Sequence, residues 1–152
     1  MKRIIIITTF IWVGFICAIS FMESWLKFQA PNITTEIGLG IGKLVFGALN
    51  IMEFVFMVII TSNYIVLFKK RKLQLSSAFL IVITIVLLQT FWLLPTLSQR
   101  AELIIQNVQV QKSNFHVVYV LLEIIKTICL FYFGTNLLKT LKQNSNEREK
   151  NV

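Results

Sequence analysis

Long apolar runs separated by short polar connections dominate the chain. Four such runs each approach the roughly 20 residues that an α-helix needs to cross the hydrocarbon core of a bilayer. Lipid offers no hydrogen-bond partner to an open backbone, so segments of this kind must be helical. The pattern predicts an all-α fold, an integral membrane four-helix bundle in one domain over residues 1–140, followed by a disordered cytoplasmic tail at 141–152. The spans are predicted at about residues 4–22, 44–68, 75–97 and 115–138.

The composition agrees with this class. Of 152 residues, 56% are hydrophobic and only 14% are charged, although the net charge is +8. In a soluble protein that charge would suggest nucleic acid as a partner. Here the basic residues flank the apolar runs and no nucleic-acid-binding signature is present, so we expect the lipid bilayer, and no nucleic acid, as the partner.

The distribution of Lys and Arg outside the spans predicts the topology, because cytoplasmic loops carry an excess of both. Four basic residues lie in the first and third connections, against ten at the two termini and in the second connection. Both termini are therefore predicted to be cytoplasmic, in a multi-pass protein of the cell membrane of bacterial inner-membrane type. The two sets are Lys27, Lys43, Arg100 and Lys112, and Lys2, Arg3, Lys69, Lys70, Arg71, Lys72, Lys139, Lys142, Arg148 and Lys150.

The first span has a competing interpretation. "MKRIIIITTFIWVGFICAIS" has a basic start, an apolar middle and an Ala18-x-Ser20 end, which are the features of a signal peptide. Cleavage after Ser20 would leave three spans and the same orientation of the rest. Retention of the span remains the main prediction.

Polar side chains form a stripe inside the fourth span. At 100° per residue, His116, Tyr119, Glu123 and Lys126 share an arc of about 80°. Lys126 lies roughly 15 Å from the nearer end of its span, too deep for its ammonium group to reach water alone. It must be paired or lie in a wet cavity.

The second span carries a matching stripe that contains Asn50 and Glu53. If the two stripes face each other, Glu53 comes level with Lys126. One interpretation is a buried structural network of the two Glu and the Lys, with Asn50 and Gln89 as interhelical hydrogen-bonding groups. The other is an outward-facing polar cavity with His116 at its entrance and Glu53, Glu123 and Lys126 at its floor, able to take a proton, a cation or a small polar ligand. Tyr119 is expected to donate to Glu123, one turn further along the helix.

An outer mouth for this cavity is predicted from Glu23, Arg100 and Glu102. Arg100 is expected to pair with Glu23, and simple surface neutralisation is the alternative. The neighbouring "GLGIGKLVFG" does not match a phosphate-binding loop, since Lys43 is followed by Leu44 instead of Ser or Thr. Gly38 and Gly42 have the spacing that lets membrane helices approach closely, so they are predicted to pack a helix.

Cofactors are expected to be absent. His116 and Glu123 are weak candidate metal ligands because the chain has one His, and Lys126 would repel a cation. A single His excludes bis-histidine haem within one chain but leaves one axial ligand open. The chain has no Asp and no Ser-His-Asp arrangement, so catalysis is not expected.

Several short motifs resemble a four-span family of uncharacterised membrane proteins that includes a vertebrate transmembrane protein linked to platinum-drug tolerance. They are "IWVGFICAISFMESWLKFQAPNITTEIGLGIGKLVF", "WLLPTLSQRA" and "NFHVVYVLLEIIK". The resemblance implies a four-helix membrane fold. For the matching positions Trp12, Gly14, Pro95 and His116 it implies no established chemistry.

Three functional hypotheses follow. The first is a non-enzymatic membrane protein whose polar cluster between helices 2 and 4 binds or passes a proton, cation or small polar ligand, with a homodimer as one possible assembly. The second is an accessory or scaffold subunit that uses its glycine face to join a larger membrane complex. The third is a haem- or metal-dependent membrane redox protein with His116 as ligand.

Overall fold

A computed structural model of the chain describes residues 1–69, 76–111 and 113–150. Part of the basic second connection, Lys70, Arg71 and Lys72, and also Lys112 of the third connection, lie outside these residues. The described chain is all-helical, and four helices are long and apolar enough to cross a membrane. They are α1 (Lys2–Gln29), α2 (Thr35–Lys69), α3 (Ser77–Ile105) and α4 (Phe115–Lys150).

Each helix extends beyond its predicted span, because polar end residues continue the same hydrogen-bonding pattern. α1 continues to Gln29, past a π-helical turn at Cys17–Glu23. α2 begins at Thr35, nine residues earlier than the apolar run suggests. α4 continues to Lys150, into the segment for which the sequence predicts a disordered tail.

The helices alternate in direction and form a square. Consecutive helices pack side by side, and α4 closes the square by packing against α1. Ring contacts show the antiparallel register at two depths. At one end Tyr64 of α2 packs on Phe79 of α3, and Phe79 stacks on Phe133 of α4 with centroids 4.9 Å apart. At the other end Trp92 of α3 meets Phe115 of α4. The two termini therefore lie at one end of the bundle, and the α1–α2 and α3–α4 connections lie at the opposite end, here called the connection end.

A large part of the helix surface is apolar and faces away from the bundle. Between 33 and 39% of each membrane-length window is buried inside the protein. Large side chains such as Leu44, Phe91 and Ile51 are 75, 74 and 66% exposed. Soluble monomers rarely expose so many large apolar side chains together, so the surface suits contact with lipid. Cys17 also lies on this surface.

Local chemistry explains how two of the helices begin and end. The hydroxyl of Thr34 accepts from the amide of Ile37 in the first turn of α2, and Asn32 has a left-handed φ of 63° in the turn that precedes it. Asn107 (φ 59°) ends α3, with the amide of Val108 donating to Leu103 and that of Asn107 to Ile104. These are the two bonds of a Schellman cap.

α3 widens into a π-helical turn at Gln89–Leu93, which ends two residues before Pro95. Proline has no amide hydrogen and its ring crowds the preceding turn of an α-helix, so a wider turn accommodates it. Such turns often occur where a helix presents functional side chains. Gln89, the first residue of this turn, points into the centre of the bundle and is 0% exposed.

Candidate functional site

A charge cluster occupies the middle of the bundle, and side chains from all four helices build it. Glu53 of α2, Glu123 and Lys126 of α4, and Gln89 of α3 are each 0% exposed. Trp12 of α1, also fully buried, completes the group. We refer to these five residues as the central cluster.

Lys126 is the hub of the central cluster. Its Nζ atom lies 2.5 Å from Oε1 of Glu53 and 2.9 Å from Oε1 of Glu123, and it donates to Oε1 of Gln89 at 2.7 Å. An ammonium group has three hydrogens, so these three acceptors use its whole donor capacity. The prediction that Glu53 pairs with Lys126 across the bundle is confirmed. α2 and α4 are diagonal in the square of helices, which is why this pair meets at the bundle axis.

The remaining members hold the two carboxylates in place. The indole Nε1 of Trp12 donates to Oε1 of Glu53 at 3.0 Å, and Nε2 of Gln89 donates to Oε1 of Glu123 at 2.9 Å. Gln89 was predicted as an interhelical hydrogen-bonding group, and these contacts confirm it. Trp12 was not predicted as a partner. Its signal in the sequence is an indole N–H within an apolar span, because a buried indole N–H requires an acceptor.

Both carboxylates direct all of their described contacts through one oxygen. Among the residues that the structure describes, Oε2 of Glu53 and Oε2 of Glu123 are buried without a hydrogen-bond partner. The central cluster thus contains two carboxyl groups and one ammonium group in a place from which water is excluded. With all three ionised it would carry one unbalanced negative charge, a costly state at this depth.

Asn50 and Tyr119 lie next to the central cluster without joining it. Asn50 donates from Nδ2 to Oγ1 of Thr90 at 2.9 Å and so links α2 to α3 one turn away from Glu53. Tyr119 is 3% exposed and packs edge-on against Phe46. The expected hydrogen bond from Tyr119 to Glu123 is not formed: the hydroxyl lies near that carboxylate, but no described residue satisfies it with ordinary hydrogen-bond geometry.

A partly open cavity of about 260 Å³ lies at the connection end. His116 and Tyr119 of α4 both line it, which agrees with the predicted entrance at His116. Glu53, Glu123 and Lys126 are not among the lining residues, so the prediction that they form its floor is wrong. Tyr119, which is 3% exposed and lies one helical turn from Glu123, is the lining residue that comes nearest to the central cluster along α4. The lining residues are Ser24, Lys27, Phe28, Gly38, Leu39, Gly42, Lys43, Phe46, Leu94, Leu97, Ser98, Ala101, His116 and Tyr119.

The predicted mouth residues lie near this cavity but do not line it. Glu23 pairs with Lys27, four residues further along α1, at 3.3 Å. Glu102 of α3 pairs with Lys43 of α2. Arg100 donates to the backbone carbonyl of Gln111, so the predicted Arg100–Glu23 pair is wrong. Glu23 and Glu102 each pair with a lysine instead of with Arg100, and Arg100 links α3 to the third connection.

The two glycines predicted to pack a helix do so within the chain. A Cβ atom at Gly38 would lie 2.1 Å from Cε1 of Phe28, and one at Gly42 would lie 2.9 Å from Nζ of Lys27. Both partners belong to the extension of α1 beyond its predicted span. The glycine face is therefore covered by the protein's own first helix, whereas Gly40 and Gly47 have no such neighbour within 4 Å.

His116 and Glu123, the two candidate metal ligands, are separated along α4. They are seven residues apart, a rise of about 10 Å, and one lines the cavity while the other is sealed in the central cluster. In the described part of the chain no group of three His, Cys, Asp or Glu side chains could hold a metal ion. The arrangement does not support a metal centre on these residues.

Comparison with known proteins adds no family to this description. No protein-family model, curated protein or solved structure matches the chain. The similarity of its motifs to the four-span family stays a prediction. What the structure itself establishes is that the described residues are all-helical and include four helices long and apolar enough to cross a membrane.

Proposed function

We propose that this chain is a non-enzymatic multi-pass membrane protein whose central cluster binds a proton. The main support is the imbalance of charge. The ammonium nitrogen of Lys126 lies 2.5 Å from a carboxyl oxygen of Glu53 and 2.9 Å from one of Glu123, and all three residues are 0% exposed. One bound proton makes the cluster neutral and removes the cost of an uncompensated buried charge. The two Oε2 atoms that lack partners are the positions available to it.

A proton fits this site better than a metal cation. Lys126 already occupies the space between the two carboxylates, and its charge would repel a second cation there. The binding of a proton requires no further room. Like charges in close proximity commonly retain one proton between them, as coupled carboxyl pairs do.

Binding is better supported than passage through the bundle. On the side of the termini the central cluster is followed by tightly packed apolar side chains, among them Phe56, Ile60, Val82 and Leu130. On the other side Tyr119, one helical turn from Glu123 on α4, lines the cavity. We infer that the proton exchanges through the hydroxyl of Tyr119 from the connection end and that the site is closed at the opposite end.

The proposed orientation places both termini in the cytoplasm of a bacterial cell, with the cavity facing outward. It rests on the excess of Lys and Arg at the termini and in the second connection. The scaffold hypothesis draws less support, since the glycine face it uses is covered by Phe28 and Lys27. The redox hypothesis lacks a ligand set beyond His116 in the described chain.

Infrared spectroscopy of the purified protein in lipid nanodiscs tests the proton. At neutral pH the wild type should show a protonated carboxylic acid band, and Glu53→Gln and Glu123→Gln should each abolish it, because either change leaves one carboxylate paired with one ammonium group. Glu102→Gln, whose parent side chain is 52% exposed, is the matched control and should retain the band. A wild type without the band, or a band that survives both central variants, refutes the proposal.

A further inference from the structure

The cavity at the connection end has a chemistry of its own, separate from that of the central cluster. Its ionisable lining side chains are Lys27, Lys43, His116 and Tyr119, and among the described lining residues none is an acid. Glu23 and Glu102 pair with the two lysines from outside the lining. The charged side chains that line the cavity are therefore cationic, and the carboxylates that pair with them are not part of its lining.

The lysines retain hydrogen-bonding capacity toward a ligand. Lys27 donates once, to Glu23 at 3.3 Å, although its ammonium group has three hydrogens. It is held between two aromatic rings, with Nζ 5.6 Å from the centroid of Phe28 and 5.3 Å from that of Phe46. These contacts position the ammonium group but use none of its remaining strong donors. Lys43 of α2 likewise pairs with a single carboxylate among the described residues.

The rest of the lining is apolar. Phe28 and Phe46 combine with Leu39, Leu94 and Leu97 to form the walls. The volume of about 260 Å³ is below the range of roughly 300–1,000 Å³ typical of sites that enclose a drug-sized molecule. Such a site accommodates one end of a longer molecule, and an apolar wall with cationic donors suits a charged head attached to a hydrocarbon chain.

We propose that this cavity binds an anionic amphiphile, an acyl chain that carries a carboxylate or phosphate group. Lys27 and Lys43 receive the anionic group, and the phenylalanine and leucine walls contact the first part of the chain. The cavity lies at the end of four membrane-length helices, where the headgroups of a bilayer would meet the protein. This inference goes beyond the proton site and does not depend on it.

The shape of the site depends on glycine. Because a Cβ at Gly38 would lie 2.1 Å from the Phe28 ring, and one at Gly42 would lie 2.9 Å from the Lys27 ammonium group, alanine at either position displaces a lining side chain. Gly40 lies between them on the same helix, and nothing stands within 4 Å of its added Cβ. Gly40→Ala is thus a matched control that changes composition equally and leaves the cavity intact.

Native mass spectrometry of the full chain, released from an uncharged detergent, measures the binding directly. Laurate is titrated against its methyl ester, which has the same chain and no charge. We expect saturable binding of one laurate and at least about tenfold weaker binding of the ester, because a hydrogen-bonded charge contributes on this scale. Equal affinity for laurate and ester would overturn the proposal.

Variants assign the binding to this cavity. Lys27→Gln should weaken laurate binding by about tenfold or more and leave ester binding unchanged. Gly38→Ala should weaken both, and Gly40→Ala should bind laurate like the wild type. Circular dichroism and gel filtration check that each variant is folded. If Lys27→Gln does not fold, the comparison of Gly38→Ala with Gly40→Ala still tests whether laurate binds in this cavity. Equal laurate binding by these two variants contradicts the proposed site.

Two sources could supply the anion, a free fatty acid or a bilayer phospholipid. Phosphatidylglycerol should compete with laurate if the bilayer supplies the natural occupant, and phosphatidylcholine, whose headgroup has no net charge, should not. Laurate bound without competition from phosphatidylglycerol identifies the free acid. Failure to bind both anions refutes the cavity inference and leaves the infrared test of the proton untouched.

Discussion

Replacement of Lys126 by Met is the most informative test of the central cluster. The substitution removes the ion pairs at 2.5 Å to Glu53 and 2.9 Å to Glu123, together with the hydrogen bond at 2.7 Å to Gln89. Two carboxyl groups then remain in a fully buried place without a cation. Removal of one partner from a buried ion pair typically costs about 3–5 kcal/mol, so we expect a loss of that size in the free energy of unfolding.

The opposite change should cost far less. Glu123→Gln keeps an oxygen that can accept from Lys126 and leaves one carboxylate against one ammonium group, which is the balanced charge. We expect a change in the free energy of unfolding within about 1 kcal/mol, the net value of a typical hydrogen bond. The predicted asymmetry between the two variants is therefore at least about 2 kcal/mol, or more than tenfold in the unfolding equilibrium.

Reversible unfolding in mixed micelles with increasing sodium dodecyl sulfate gives the measurement. Tryptophan fluorescence is a suitable signal, because Trp12 is hydrogen-bonded to Glu53 within the central cluster. Lys43→Met is the matched control: its parent side chain is 39% exposed, and loss of an exposed pair should change stability by about 1 kcal/mol or less. If Lys126→Met is no more destabilising than Lys43→Met, the central cluster does not hold the helices together. If Glu123→Gln lowers the free energy of unfolding as much as Lys126→Met does, the central cluster does not contain one carboxyl group more than it has cations to balance.

Two further substitutions test the groups that hold the carboxylates. Trp12→Phe removes the donor to Glu53 at 3.0 Å and should lower the free energy of unfolding by about 1.5–3 kcal/mol. Trp25→Phe, at a residue 55% exposed, is the control and should leave the free energy of unfolding unchanged. Equal effects of the two variants in the same micelle titration would contradict the hydrogen bond from Trp12 to Glu53. Gln89→Leu removes both an acceptor for Lys126 and a donor to Glu123, and should lower the free energy of unfolding by about 2 kcal/mol or more. An unfolding midpoint equal to that of the wild type would refute this prediction.

Periodicity was sufficient to predict the charged pair but not its other partners. Helical spacing places Glu123 and Lys126 on one face of α4, and depth alone places Glu53 opposite them, because both quantities follow from the geometry of a single helix. Which face of α1 and α3 turns toward the pair depends on how four helices rotate against one another. Trp12 therefore went unrecognised as a partner, and Gln89 was expected only as a general interhelical contact.

The cavity was harder to predict for a related reason. Its walls depend on α1 continuing in helical form to Gln29, so that Lys27 and Phe28 lie over Gly38 and Gly42. The apolar run ends seven residues earlier, and hydropathy cannot distinguish a continued helix from a segment that lies in the interface. The spacing of Glu23 and Lys27, four residues apart, is the one local sign of helix in this segment. The same extension takes Glu23 away from Arg100.

The two proposed sites constrain each other through Tyr119. Tyr119 lines the cavity, and Glu123 lies one helical turn further along α4, so an anion in the cavity and an ionised carboxylate in the central cluster would repel each other across a region of low dielectric. A proton on the central cluster removes that repulsion. By linkage, an anion that binds more tightly above a protonated cluster must in turn increase the affinity of the cluster for its proton. Each ligand then increases the affinity for the other without being required for it, and the ion pairs of Lys126 hold the helices together in either state.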